Sequence, residues 1–233
     1  MGLNVSSTQC YYEFLRYKVD DQVNTSTNMC EKAEVIGRFP TTYRYTISYF
    51  HSFGLSKNYI IYMETALRFD IYSYLKNKLL NKPFSETLHM YKDEPTVIHI
   101  MNYKTGEIVA QKYTTDPLFI FHHINAYEIE ETNEIVCDIC AYDPNYFDIT
   151  KISLEEIFTE KLFNKNIFKS KARRVRINLN EKDESKPVYV KITDINPDVS
   201  FEMPTINYSD FNTKQYKYFY GVNFFYSYPF SVV

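Results

Sequence analysis

The sequence contains no tryptophan, only five glycines in 233 residues, and no excess of positive charge. Its formal net charge is −3, which argues against a nucleic-acid partner, because a polyanion binds to a basic surface. No apolar run approaches the roughly 18–20 residues that a helix needs to span a bilayer. The composition, 45% hydrophobic and 24% charged, is that of a globular protein and not of a disordered chain.

Cysteine is also scarce, with four residues at Cys10, Cys30, Cys137 and Cys140. Four are too few for a disulfide scaffold of this size, so we expect a reducing, cytoplasmic location. Cys137-x-x-Cys140 resembles half of a zinc or redox motif, but it lies in a strand-like run, where a separation of three places the thiols on opposite faces. No second pair completes a four-ligand zinc site, so we interpret both cysteines as small buried residues.

Aromatic residues, in contrast, make up 18% of the chain, with 23 tyrosines and 18 phenylalanines, which favours β-sheet. Residues 102–106 predict a hairpin turn, in which Gly106 can take a positive φ. Short strands without helical crossovers predict an all-β fold, and no fixed repeat chooses between a barrel, a sandwich and a propeller. Alternating runs predict strands at residues 58–64, 95–101, 107–112, 134–142, 173–179, 187–193 and 216–222.

Two segments have helical spacing, residues 67–81 and residues 153–164, and residues 180–186 read as a solvated loop. Lys76, Lys78 and Lys82 lie among and directly after the apolar residues of the first segment. This pattern supports peripheral contact with a membrane through residues 67–81, and a helix packed on the rest of the protein is the alternative.

The candidate metal ligands are histidines, because neutral imidazole binds Fe(II), Zn(II) or Cu(II). No H-x-H or H-E-x-x-H pair occurs, so a site would need tertiary structure to assemble it, and an ordinary role is the default for each histidine. If the adjacent pair His122-His123 lies on a strand, only one of the two can reach a given metal. His99, in an alternating run, is expected to face solvent or a neighbouring sheet. The five histidines are His51, His89, His99, His122 and His123.

Three stretches, in this order, resemble the carotenoid oxygenase family, which includes carotene-cleaving dioxygenases and a retinoid isomerohydrolase. The first motif is residues 50–61 (FHSFGLSKNYII). The second motif is residues 115–128 (TDPLFIFHHINAYE). The third motif is residues 201–208 (FEMPTINY), followed by residues 218–221 (YFYG). The resemblance covers essentially the whole chain, residues 1–233, which we expect to form one incomplete domain of this family.

The resemblance implies a partial seven-bladed β-propeller with short helical insertions and one Fe(II) on the propeller axis. Members of the family hold this iron with four histidines. By resemblance, His51 and His122 are two of the ligands. Glu202 resembles a carboxylate that accepts the remaining ring N–H of a ligand histidine, and we assign it to His122.

Two of the four ligand histidines of the family have no counterpart in this sequence. The resemblance implies oxidative cleavage of a carotenoid or apocarotenoid double bond by O₂ to aldehydes, with retinoid ester isomerohydrolysis as the alternative within the family. Because half of the ligands are missing, we expect this chain alone to be inactive. The alternative from another class is a non-catalytic remnant or a lipid-binding fragment.

Overall fold

A computed structural model describes residues 2–5, 9–17, 33–147, 169–181, 183–225 and 228–232. Strands dominate this part of the chain, and the helices are α1 (Ile71–Leu79), α2 (Tyr208–Phe211) and a 3₁₀ turn (Phe84–Thr87). In chain order the strands are β1 (Gly2–Val5), β2 (Cys10–Arg16), β3 (Glu34–Pro40), β4 (Thr46–Ser48), β5 (Gly54–Leu55), β6 (Tyr59–Glu64), β7 (Leu67–Asp70), β8 (Leu88–Met90), β9 (Thr96–Asn102), β10 (Tyr113–Thr115), β11 (Phe119–Ile129), β12 (Glu134–Tyr142), β13 (Ser170–Asn178), β14 (Val188–Tyr189), β15 (Ile192–Asp194), β16 (Glu202–Thr205), β17 (Tyr220–Phe225) and β18 (Tyr228–Val232).

The strands form five sheets. The N-terminal sheet has the order β1-β2-β3, the five-stranded sheet β14-β10-β9-β6-β5, the four-stranded sheet β11-β12-β13-β15 and the C-terminal sheet β16-β17-β18. A small sheet, β4-β7-β8, completes the set. The pairings are antiparallel except that between β10 and β14.

Three apolar layers separate the four larger sheets in chain order. Both faces of strand β6 are apolar because each face lies in one of these layers. Ile61 and Met63 enter the layer shared with the four-stranded sheet, and Ile60 and Tyr62 enter the layer shared with the N-terminal sheet. The third layer, between the four-stranded and C-terminal sheets, is built from Ile124, Cys140, Ala172, Phe201 and Ile206. Consecutive sheets therefore stack face to face. The five-stranded and four-stranded sheets are covered on both faces, whereas the N-terminal and C-terminal sheets each contribute to one of these layers.

Several sequence predictions are confirmed. Strand β12 has the predicted bounds, and β6 and β9 differ from theirs by one residue. Gly106 has a φ of +78° in the predicted turn, where its amide donates to the carbonyl of Asn102. Cys137 and Cys140 lie in different apolar layers, on opposite faces of β12, and burial raises the pKa of both thiols. The described residues of segment 180–186 are exposed, as predicted.

Other predicted elements were wrong or only partly right. Residues 107–112 form one isolated bridge, Met101 to Ile108, because the backbone turns before pairing resumes at β10. The run 187–193 divides into β14 and β15, which join different sheets, and the last predicted strand begins only at Tyr220. The helix predicted over 67–81 starts at Ile71, because β7 pairs with β4 and β8, and Asp70 then caps α1 by accepting from the Ser73 amide at 2.6 Å. The helix predicted at 153–164 lies outside the described residues.

Candidate metal centre

His51 and His122 lie side by side, although 71 residues separate them along the chain. Their ring centroids are 4.9 Å apart and their planes are nearly perpendicular, at 89°. His51 lies in the segment between β4 and β5, and His122 lies on β11. The structure thus brings together the two histidines that the resemblance selects.

Glu202 is hydrogen-bonded to the ring of His122. One carboxylate oxygen, Oε2, lies 2.6 Å from Nδ1 of His122 and accepts a second hydrogen bond, at 2.8 Å, from the amide of Met203. Glu202 is buried, so its negative charge favours a proton on Nδ1 of His122. That tautomer leaves the lone pair of Nε2 available to a metal ion.

The start of the C-terminal sheet holds Glu202 in this place. Phe201, the residue before it, packs in the third apolar layer, and its amide donates to the carbonyl of Ser170 at 3.1 Å. A Cβ atom at Gly221 would lie 2.4 Å from the Phe201 ring and 2.7 Å from the Glu202 carbonyl oxygen. Glycine at 221 therefore permits the close approach of β17 to the Glu202 backbone, which explains its place in the third motif.

The direction of His122 depends on irregularities in β11. Ile120 pairs with Ala141, His123 with Ile139 and Asn125 with Asp138, so β11 carries one extra residue on each side of His123. Regular alternation would place His122 on the face of Ile120, in the layer shared with the five-stranded sheet. The first bulge instead turns His122 to the opposite face, where Glu202 lies.

His123 occupies the other face and is buried. Its Nδ1 lies 2.8 Å from the hydroxyl of Ser52, and its Nε2 has no hydrogen-bond partner among the described residues. Burial, with a smaller contribution from the neighbouring His122, lowers the pKa of His123 to about 3. The prediction that the adjacent pair divides between two faces is therefore confirmed, and His123 is a neutral core residue.

The remaining histidines lie elsewhere. Nε2 of His99 donates at 2.9 Å to the buried carboxylate of Glu64, and the His99 ring stacks with that of Tyr62, in the layer between the N-terminal and five-stranded sheets. This confirms that it faces a neighbouring sheet. His89 is exposed, and among the described residues its ring hydrogen-bonds only the Ser73 hydroxyl, at 3.3 Å.

The imidazoles of His51 and His122 are suitable ligands for ferrous iron, but two of them are too few. Neutral imidazoles are ligands that Fe(II) accepts, and no described side chain hydrogen-bonds the ring of His51. Across the described ranges, however, no group of three or more His, Cys, Asp or Glu side chains could hold a metal ion. His51 and His122 would therefore supply part of a ligand set, and their role as ligands stays a prediction.

Aromatic rings border the two histidines. The ring of Phe121 lies edge to face with that of His51 at 5.7 Å, and the ring of Tyr49 stacks on His51 at 6.5 Å. Both belong to a cluster whose buried members are Leu67, Phe119, Tyr142 and Phe147. One side of the candidate metal centre is thus an apolar wall.

Comparisons with known sequences point to one family. A sequence model of the retinal pigment epithelial membrane protein family matches residues 1–230. The chain is 28% identical to the carotenoid isomerooxygenase of Galleria mellonella, covering 84% of this chain and 37% of that protein. It is 30% identical to β,β-carotene 15,15′-dioxygenase of Homo sapiens, covering 79% of this chain and 37% of the relative. The chain thus spans less than half the length of the relatives it matches.

Solved structures show the same fold. A cobalt-substituted apocarotenoid oxygenase from Synechocystis superposes with a TM-score of 0.63 at 17% identity, over 97% of this chain and 40% of that one. The lignostilbene dioxygenase of Pseudomonas brassicacearum superposes with a TM-score of 0.58 at 14% identity, over 84% of this chain and 36% of that one. The stacked sheets are therefore blades of a partial β-propeller, as the resemblance predicted.

Proposed function

Because this chain belongs to the retinal pigment epithelial membrane protein family of carotenoid oxygenases, we propose that it is part of a non-haem Fe(II) oxygenase. The reaction is the cleavage of a carotenoid or apocarotenoid double bond by O₂ to aldehyde products. The observation that carries the proposal is the pairing of the His51 and His122 rings at 4.9 Å, with Glu202 on Nδ1 of His122. Iron, when bound, supplies the activation of O₂.

The residues of this chain have three tasks in that site. His51 and His122 would hold the iron through ring nitrogens, and Glu202 fixes the orientation of His122 and makes its Nε2 more basic. Phe121 and Tyr49 present an apolar surface beside the iron, against which a polyene can lie. A polyene offers few polar groups, so the shape of this wall would determine which of its double bonds lies beside His51 and His122.

The test is a chimaeric enzyme in which this chain replaces the aligned segment of the human β,β-carotene 15,15′-dioxygenase, which supplies the remaining length. We expect the chimaera to retain iron and to convert a carotenoid or apocarotenoid to aldehydes, detected by chromatography. A folded, iron-loaded chimaera that cleaves none of a panel of carotenoids and apocarotenoids would contradict the proposal.

The 233-residue chain alone is expected to keep much less than one equivalent of iron. Two imidazoles do not enclose the ion, and the described residues offer no third ligand nearby. The measurement is the iron content after anaerobic loading and desalting, with the His51→Ala/His122→Ala double variant as the control for unspecific binding. Stoichiometric iron in the unmodified chain would show that the site contains ligands other than those assigned.

The competing proposal is a non-catalytic product, and the observation that favours it is the incomplete ligand set among the described residues. The two proposals differ in what the gene encodes on either side of this chain. Histidine motifs in frame upstream and downstream would support the oxygenase, and stop signals in both flanks would support the remnant.

We further propose that α1 and the residues after it contact a membrane, where polyenes dissolve. No helix among the described residues is long and apolar enough to cross a bilayer. Leu79 is 85% exposed and Leu80 56% exposed, and Tyr72, Leu75 and Phe84 are also exposed. The cationic residues Lys76, Lys78 and Lys82 lie in the same segment, so the surface combines apolar and basic groups.

The double variant Leu79→Ser/Leu80→Ser is expected to bind vesicles at least about tenfold less, because burying a leucine contributes about 1.5–3 kcal/mol. The measurement is flotation with anionic phospholipid vesicles. The matched control is Ile108→Ser/Tyr146→Ser, which removes two exposed apolar side chains elsewhere. Equal flotation of the two double variants would refute the assignment of the membrane surface to this segment.

A further inference from the structure

One hydroxyl group links the segments that carry the two candidate ligands. Ser52 follows His51 directly, and its Oγ donates to the carbonyl of Phe121 at 2.8 Å and accepts from the amide of His123 at 2.9 Å. These two backbone groups stand immediately before and after His122. Nδ1 of His123 lies 2.8 Å from the same Oγ.

The donors and acceptors around Ser52 balance. The single hydroxyl proton goes to the carbonyl of Phe121, so Oγ accepts from the amide of His123 and from an Nδ1–H on its ring. This arrangement fixes the neutral His123 ring in the Nδ1–H form. Every hydrogen-bonding site of the Ser52 hydroxyl is thus used on residues 121 and 123.

These contacts coincide with the bulges of β11. The register of β11 against β12 shifts between Ile120 and His123 and again between His123 and Asn125. A bulge leaves backbone groups without their regular ladder partners, and such groups need another partner when they are buried. Ser52 provides that partner to the stretch of backbone that directs His122 toward Glu202.

We propose that Ser52 is a positioning residue, which sets the distance between His51 and His122 by holding the bulged backbone on both sides of His122. Its effect on metal binding rests on the proposed function, whereas its effect on the geometry of the two rings does not. Ser52 touches neither iron nor substrate in this scheme. It acts by tying the segment that carries His51 to the strand that carries His122.

The experiment measures the ring geometry without metal. In the metal-free chain with labelled histidine rings, we expect a nuclear Overhauser effect between the ring protons of His51 and His122, whose centroids are 4.9 Å apart. Ser52→Ala should lose this signal. Ser52→Thr should keep it and Ser52→Val should lose it, since these two variants have the same shape and differ in the hydroxyl. The Thr/Val pair also tests the proposal if Ser52→Ala does not fold.

Ser56→Ala is the matched control. Ser56 is a buried serine of the same motif, and its Oγ donates to the carboxylate of Glu128 at 2.7 Å, away from the backbone around His122. We expect Ser56→Ala to lower the free energy of unfolding while the signal between the two rings remains. A loss of stability and a loss of ring positioning are thereby separated.

The second measurement is a Co(II) titration of the same samples, followed on the labelled histidine signals. Loss of a group that orients a ligand typically weakens metal binding about 10–100-fold, so we expect this change for Ser52→Ala and Ser52→Val, but not for Ser52→Thr or Ser56→Ala. An unchanged signal between the rings in both Ser52→Ala and Ser52→Val would overturn the proposal. If the ring signals behave as expected and Co(II) binds at neither histidine, Ser52 keeps its positioning role and the proposed iron site fails.

Discussion

Replacing His122 or His51 with alanine in the chimaeric enzyme is expected to abolish carotenoid turnover, whereas replacing His123 with leucine is expected to leave most of it. Either alanine variant removes an imidazole from the candidate metal centre. A bound metal ion supplies several kcal/mol of catalysis, and about 1.4 kcal/mol corresponds to a tenfold change, so kcat should fall at least about a thousandfold. Leucine at 123 removes one contact to Ser52 and also a buried ring nitrogen that has no hydrogen-bond partner within the described part of the chain, so activity should stay within about tenfold of the unmodified chimaera.

The measurements are kcat and the iron content of each purified variant. His89→Ala is the control for loss of an imidazole as such, because His89 is exposed and its ring forms one hydrogen bond in the described part of the chain, to Ser73. We expect the alanine variants at 51 and 122 to lose iron together with activity. If His123→Leu were as damaging as His122→Ala while remaining folded, the assignment of His122 as the ligand of the adjacent pair would be wrong.

The local sequence predicted correctly the bounds of a strand that is buried along nearly its whole length. Strand β12 is buried on both sides, and its run of mostly apolar, strand-forming residues gave the correct bounds. Strands β14 and β15 were merged into one prediction, because what divides them is their pairing with different sheets, which short-range alternation does not encode. The same reason explains why β7 was predicted as part of a helix. Leu67–Asp70 has helical spacing with the residues after it, but its backbone pairs with a strand on each side, β4 and β8.

For the candidate site, the sequence could predict the residue types but not their directions. Alternation along β11 predicts only that His122 and His123 point apart. The bulge determines which of them faces Glu202, and the register of β12 against β11 that reveals it is a tertiary property. Ser52 was missed for a related reason. Nothing in its local sequence indicates that its hydroxyl would hydrogen-bond backbone groups 69 and 71 residues away.

The contacts give the first two motifs a physical meaning. The carboxylate of Glu128, in the second motif, accepts from the Ser56 hydroxyl, the Asn58 amide and the Asn58 side chain, each at 2.7 Å. Near the start of the first motif, Ser52 makes a further hydrogen bond between the two motifs, to His123. In this chain the two motifs therefore form the two sides of one hydrogen-bonded interface. His51 and His122 lie at one end of this interface.

A second buried polar cluster lies farther along the same sheet and carries no candidate ligand. Asp138 on β12 is fully buried, and its two oxygens accept from Nε and Nη2 of Arg174, each at 2.8 Å. The Tyr216 hydroxyl donates to Oδ2 of Asp138 at 2.6 Å. Burial, together with the Asp138 charge, raises the pKa of Tyr216, so the phenol stays protonated and remains a donor.

Asp138→Ala is therefore expected to lower the free energy of unfolding by about 3–5 kcal/mol, because it leaves Arg174 partly buried without its partner. Equilibrium urea unfolding of the chimaera measures the change. Asp194→Ala is the matched control, since Asp194 pairs with Lys171 and Arg173 near the surface, where an ion pair contributes about 0–1 kcal/mol. Adding Arg174→Met to Asp138→Ala should restore part of the loss, because the unpaired charge is then removed as well. If Asp138→Ala were no more damaging than Asp194→Ala, the buried pair would not be what anchors β12 to β13 and to Tyr216.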